Sequence, residues 1–258
     1  MNALRLLMAT ACLCAAARVF AGEPAPDTTP GPDIDQISER VLLDACGYLR
    51  SADHFSVNVE STYEDVLTTG TRVEYSREAS VVLERPDHLR IDSESDKGRR
   101  SFFYDGKTVT VYHPDERVYA VFEAPPTIDA MINAAEARGL SMPASDLLMN
   151  HPCQALGDHL QTGTYAGLHY LDGNWYHHLL LSTDAVDVQL WVAGGDAPEI
   201  RRLVITYTNK PGEPQYRAML RDWDFDPAID SSTFAFTPPA DARKVAFKGA
   251  DAVQGGEQ

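Results

Sequence analysis

His177 and His178 stand side by side, and both carry ring nitrogens that a metal would accept. On a strand the two rings point to opposite faces, which sets them against sharing one metal. Surface histidines are the plainer reading. Neither an HExxH nor a CxxC pair occurs in the chain. Asp222, Asp224 and Asp226 alternate around Trp223 and Phe225, so three carboxylates are expected on one sheet face. Such a face could attract Ca²⁺, although a solvated row of acids is the commoner outcome. Ser141 lies at a helix start, where a capping role suffices, and no GxSxG elbow surrounds it. Gly194-Gly195-Asp196 reads as a hairpin turn, and no Walker or Rossmann glycine pattern is present. No catalytic residue, metal site or cofactor is assigned, and a hydrolase is the weaker class.

Four cysteines occur, two of them, Cys12 and Cys14, inside a stretch that reads as an export leader. Arg5 supplies its positive end, Leu6 to Ala17 is apolar or small, and Val19-Phe20-Ala21 predicts cleavage before Gly22. The run is too short to span a membrane. A lipoprotein reading is weaker, because Leu13 is too large to precede a lipidated Cys14 and little apolar chain precedes Cys12. The mature protein is therefore expected in the periplasm, with residues 1–21 removed. Cys46 and Cys153 remain. In an oxidising compartment two such thiols commonly pair, and closing so long a loop contributes roughly 4–5 kcal/mol in the chain-entropy model. Two buried free thiols packing as small hydrophobes are the other reading.

The chain carries 38 acidic against 22 basic residues, a net charge of −16, and losing Arg5 and Arg18 with the leader makes it more acidic still. Phosphate backbones and anionic lipid surfaces repel such a molecule, which argues against nucleic acid as a partner.

Residues 22–32 hold four prolines and no large apolar side chain, a solvated linker. Asp33 looks like an N-cap, with Gln36 in capping-box position, and Ile34, Ile37, Val41, Ala45 and Tyr48 recur at helical spacing. That predicts one helix over Asp33–Arg50. Strand-like runs follow at Phe55–Val59, Thr71–Tyr75, Ala79–Glu84, His88–Asp92, Arg100–Tyr104, Thr108–His113 and Val118–Phe122, with Asp105-Gly106 as a hairpin turn. The period then changes. Thr127 caps a helix bearing Ile128, Met131, Ile132 and Ala135 on one face, closed by Arg138 and Gly139. Shorter helical pieces are expected near Pro143–Met149 and Pro152–Leu160. Strand signals return at Thr164–Leu171, Trp175–Ser182, Asp187–Ala193, Arg201–Tyr207 and Gln215–Phe225, and residues 248–258 read as a loose tail. The order is α+β without alternating βα units. It predicts a single domain over 33–247: a strongly curved antiparallel sheet whose concave face is covered by the N-terminal helix and the helical insert.

Arg85-Pro86-Asp87-His88-Leu89-Arg90, followed by Tyr104-Asp105-Gly106-Lys107-Thr108-Val109, resembles the RP…R strand and DGKT hairpin of the bacterial outer-membrane lipoprotein carrier (LolA/LolB-like) superfamily. Tyr119-Ala120, Ala124-Pro125-Pro126-Thr127-Ile128-Asp129, Gln189-Leu190-Trp191-Val192, Pro198, Leu203-Val204-Ile205-Thr206-Tyr207, Pro214-Gln215-Tyr216 and Phe234-Ala235-Phe236-Thr237-Pro238-Pro239 complete a pattern similar to one of its families, predicted periplasmic proteins of unknown function. The resemblance spans about Asp33 to Val245. It implies a half-open β-barrel with helices as a lid over an apolar cavity, which in related carriers holds acyl chains.

Alternation alone puts Val57, Val59, Val81, Leu83, Leu89, Ile91, Val109, Val111, Leu190, Val192, Leu203 and Ile205 on the inward face, with Ile128, Met131 and Ile132 on the lid. Each is a cavity-lining candidate if space remains, and core if it does not. Arg85 and Arg90, bracketing Pro86, are candidate headgroup contacts; holding the lid or pairing with a nearby acid are the structural readings. The function expected is non-enzymatic: a periplasmic protein holding a lipid, a lipoprotein acyl chain or another apolar ligand. The alternative is a sensor or interaction module with a closed core that binds a periplasmic or envelope protein.

Overall fold

The computed structural model describes residues 33–230 and 232–247; the expected leader, linker and tail lie outside the described residues. Strand β1 is Asp33–Ile34 and helix α1 runs Gln36–Ser51. Six strands follow: β2 (His54–Val66), β3 (Arg72–Glu84), β4 (His88–Ser95), β5 (Gly98–Asp105), β6 (Thr108–His113) and β7 (Val118–Glu123). Helix α2 (Ile128–Glu136), a 3-10 turn (Ser145–Leu147) and helix α3 (Gln154–His159) form the insert. Then come β8 (Thr162–Leu171), β9 (Asn174–Ser182), β10 (Asp187–Ala193), β11 (Ile200–Thr206), β12 (Gln215–Asp224) and β13 (Arg243–Lys244). Among the described residues no helix is long and apolar enough to cross a membrane.

All these strands belong to one open sheet, ordered β1-β8-β9-β10-β11-β12-β2-β3-β4-β5-β6-β7-β13. The two strand groups meet where β12 pairs antiparallel with β2. Only the short edge strands pair parallel, β1 with β8 and β13 with β7. Two expected strands, Thr71–Tyr75 and Ala79–Glu84, are one. Ser76, Arg77 and Glu78 dilute the apolar signal but include no Gly or Pro, so the ladder from Arg72↔Val66 to Glu84↔His54 runs unbroken.

Helix α1 starts later than its spacing suggests. Asp33 joins β1, its amide donating to the Gln161 carbonyl at 2.8 Å. The cap is Asp35, whose carboxylate accepts from the Ser38 amide at 2.7 Å and from the Tyr165 amide of β8. Three backbone amides, of Ser38, Tyr165 and Ile37, hold the Asp35 carboxyl below its ordinary range. The buried stripe is Ser38, Val41, Leu42, Ala45, Cys46 and Leu49. Ile34 lies in β1 and Ile37 is 45% exposed, so neither joins the stripe. Tyr48 is half-buried, its ring edge on Phe225.

In the insert, Thr127 caps α2 by accepting from the Ala130 amide at 3.2 Å, and Ile128, Met131, Ile132 and Ala135 are buried. Arg138 donates to the Ala134 carbonyl at 2.8 Å, and Gly139 takes the left-handed φ of +81° that ends the run. Cys46 of α1 and Cys153 are bonded to each other, Cα to Cα 5.9 Å, closing a loop of 107 residues.

Candidate functional site

Cross-strand register sorts the core face of the sheet into rows. The first, Phe55, Leu83, Leu89, Tyr104 and Val109, is fully buried. The next, Val57, Val81, Ile91, Phe102 and Val111, is also wholly apolar. The third changes character: Leu220, Val59 and Ala79 lead to Ser93 and Arg100. In the fourth, Ala218 leads to Ser61, Arg77 and Ser95. Strands β2 to β5 thus run from apolar to polar along the same face.

A cavity of about 120 Å³ lies over the second to fourth rows. Its roof is the stretch 140–148, through Leu140, Met142, Pro143, Leu147 and Leu148. That stretch is built from three short turns, Met142 to Ser145, Ala144 to Leu147 and Ser145 to Leu148. It is fastened at both ends. The Leu140 amide donates to Ala135 of α2, and beyond Leu148 the Met149 carbonyl accepts from Arg85 Nη2 at 3.0 Å. The Asn150 amide donates to Asp129 at 3.2 Å, and Asp146 accepts from the Leu156 amide of α3 at 3.3 Å. Of these ties only the one to Arg85, the residue directly after β3, reaches the sheet.

The polar end of the cavity holds Arg77 and Arg100, with Ser61 and Ser93 beside them. The Ser61 hydroxyl donates to the Arg77 carbonyl at 3.3 Å and the Ser93 hydroxyl to the Arg100 carbonyl at 3.1 Å, leaving the guanidinium groups unengaged by them. Arg77 Nε is buried without a hydrogen-bond partner, and its guanidinium lies 5.6 Å from the Tyr63 ring centre. Burial, and then the like charge of Arg77, push the Arg100 guanidinium below its ordinary pKa. Burial raises the Tyr216 hydroxyl, and its hydrogen bond with Ser61 and the Arg77 charge oppose that rise.

The residues expected to line a pocket divide into two sets. Val57, Val59, Val81, Ile91, Val111 and Leu203 line the cavity. Leu83, Leu89, Val109, Leu190 and Val192 belong to the same buried core but do not line the cavity, and Ile205 packs half-buried against that core. Ile128, Met131 and Ile132, expected on the lid, have no exposed surface and lie within that same core; the roof comes from the residues after α2. Arg85 is spent on carbonyls: Nη1 donates to Ala52 at 2.7 Å and Nη2 to Met149, with Phe55 5.5 Å below. Arg90 pairs with Asp92 at 2.7 Å and donates to the Thr233 carbonyl at 3.2 Å. Neither lines the cavity. Arg77 and Arg100 carried one signal in the sequence, their parity with Val81 and Phe102 on alternating strands.

The remaining polar candidates go elsewhere. His178 stacks on Trp191 with ring centres 4.0 Å apart and shares short ring-nitrogen contacts with His169 and Gln189, whereas His177 meets the Tyr165 hydroxyl at 2.9 Å. The β12–β2 register shifts between Arg221 and Asp224; Asp222 accepts from Asn58, Asp224 accepts from the Asp226 amide, and Asp226 faces His54. Among the described residues no three His, Cys, Asp or Glu side chains gather as metal ligands would.

The model of the family described as "Predicted periplasmic protein (DUF2092)" matches residues 38–248. No curated protein matches the chain. Among solved structures, an uncharacterized conserved protein from Thermus thermophilus is similar at 12% identity and a TM-score of 0.48, over 82% of this chain and 99% of that one. The lipoprotein LppX of Mycobacterium tuberculosis is similar at 13% identity and a TM-score of 0.48, over 76% and 100%. A LolA superfamily protein of Nitrosomonas europaea is similar at 10% identity and a TM-score of 0.42, over 77% and 97%.

Proposed function

The chain belongs to the family of predicted periplasmic proteins DUF2092, and we propose that it serves there as a non-enzymatic carrier of one lipid or acylated molecule. The leader of residues 1–21 delivers it, and cleavage before Gly22 releases it. The insert acts as a lid on the concave side of the sheet, and the ligand's apolar chain lies between Val57, Val81, Ile91 and Phe102 below and Leu140, Met142 and Leu147 above.

One observation carries this reading: a space walled by apolar side chains on both sides persists between two layers that are otherwise packed. A volume near 120 Å³ is close to the engineered cavity of about 150 Å³ that stays dry and takes up benzene. It admits a short stretch of acyl chain. A longer chain requires the roof to lift, and a roof made of local turns fastened at its two ends can do so without breaking a strand pairing. About ten buried methylenes contribute roughly 8 kcal/mol before the cost of association, so micromolar is the tightest binding the chain alone supplies.

The test is direct. Purified mature protein is extracted and its lipids identified by mass spectrometry, and the stripped protein is titrated with a fluorescent fatty acid. One molecule bound per chain is expected. Leu147→Asp should abolish that binding while near-ultraviolet circular dichroism stays native. Protein that carries no lipid and ignores the probe at micromolar concentration removes the carrier, and the closed interaction module takes its place.

A further inference from the structure

Arg90, Arg99, Arg201, Arg217 and Arg221 each lie within 4 Å of a carboxylate, as an excess of acids makes easy: 38 against 22 basic residues. Arg77 and Arg100 are without such a partner, and what sets them apart from the other unpaired arginines is their place in the cavity. Both line the cavity, and no Asp or Glu lines it with them. They sit at one end of an apolar space, in neighbouring register rows, with Ser93 on the strand between them and Ser61 on the strand beside Arg77. Two like charges brought together and half withdrawn from water, with no carboxylate within 4 Å, destabilise the empty protein. Each also presents a planar fork of donors that matches a carboxylate or phosphate in two-point fashion. A ligand that brings the missing negative charge would satisfy both.

We propose that the cavity selects an amphiphile with a compact anionic head, a carboxylate or a phosphate, which Arg77 and Arg100 bind while its apolar chain runs along Val57, Val81, Ile91 and Phe102. The assignment rests on the carrier reading and narrows it. A neutral head placed there leaves two half-buried guanidinium groups unpaired, so neutral lipids of the same chain length are discriminated against. Because the charges are partly withdrawn from solvent, the preference survives moderate salt better than attraction to a surface patch would.

Decanoate, decyl phosphate and decanol share one tail and differ in the head. Calorimetric titration of the delipidated full mature chain with each should give at least tenfold tighter binding for an anionic ligand than for decanol, and the tighter of the two anions identifies the head as carboxylate or phosphate. The double variant R77Q/R100Q should bring the anions to the affinity of decanol and leave decanol within about twofold. Its thermal midpoint without ligand should equal or exceed that of the wild type, since two unpaired charges have gone, so loss of anion binding is not loss of fold. Arg77→Lys with Arg100→Lys keeps the charge without the fork and should fall between. Equal binding of all three ligands by the wild type overturns the anion site and leaves the carrier standing. Binding of none overturns the carrier itself, and this assignment with it.

Discussion

Arg85 and the Arg77–Arg100 pair show how differently one residue type is used within β3 to β5 and the turn that follows β3. Arg85 spans three elements, joining the end of α1 at Ala52 to the insert at Met149 over the ring of Phe55. Arg85→Ala leaves two partly buried carbonyls without donors and should lower stability by roughly 2–4 kcal/mol in urea denaturation, since a bond to a charged group contributes about 1.5–3 kcal/mol. Lysine should not rescue it, because one ammonium on a flexible stem does not reproduce the two-pronged geometry. The sequence marks Arg85 as noteworthy through its motif but carries no sign of where its donors point; that depends on the insert, more than sixty residues downstream. The parity of Arg77 and Arg100 was legible. Their lack of acid partners was not, because it depends on which strands become neighbours. His178 adds a pH effect. Burial first, and then His169, lower its pKa from 6.5, so the folded protein binds fewer protons than the unfolded chain below that value. Stability is complete above about pH 6.5 and declines as pH falls through the lowered folded pKa. His178→Phe should flatten that part of a stability–pH profile measured by thermal melting.

At the scale of elements, local chemistry wrote most boundaries and tertiary pairing moved the others. The Asp105-Gly106 turn and the Thr127 cap fall where the residues place them. The α1 cap does not. Asp33 and Asp35 both have the chemistry of a cap, and pairing of β1 with β8 decides between them, because it commits Asp33 to the strand and brings the Tyr165 amide to Asp35. Asp35→Ala should therefore cost at the upper part of the usual range for a cap, about 0.5–2 kcal/mol, and loosen β8 along with α1 in hydrogen exchange. The Cys46–Cys153 bond ties α1 to the chain just beyond the cavity roof across 107 residues. Replacing both with serine should remove roughly 2–5 kcal/mol in guanidinium denaturation. Exchange should quicken over 140–153 before it does in β2 to β6, since those strands keep their ladders and their buried rows.

Taken whole, the molecule is an open sheet whose strands are read locally but whose order is not. Alternation identifies β2 and β12 separately, yet their pairing joins segments some 150 residues apart, and that pairing brings Leu220, Ala218 and Tyr216 beside Val59, Ser61 and Tyr63. The same limit governs the cavity. Periodicity cannot say whether an inward residue is core or lining, because the difference lies in how far the insert descends: Leu89 and Val109 meet packed side chains, whereas Ile91 and Val111, one step along the same strands, meet the space. Ala79, on the floor of that space, turns the question into an experiment. Ala79→Leu adds three carbons to a cavity of about 120 Å³, so the added surface is buried without the usual penalty for overpacking. A gain near 1 kcal/mol is expected, which for a domain of this size raises the thermal midpoint by about 2–4 °C. The same substitution occupies the volume the ligand needs and should weaken binding of a fluorescent fatty acid at least tenfold. Stability rising as binding falls is the signature of an interior kept open for a guest at the expense of the fold. A filled variant that melts higher and binds the probe as before would move the ligand to another surface, and one that melts lower would show that the roof already rests on the sheet.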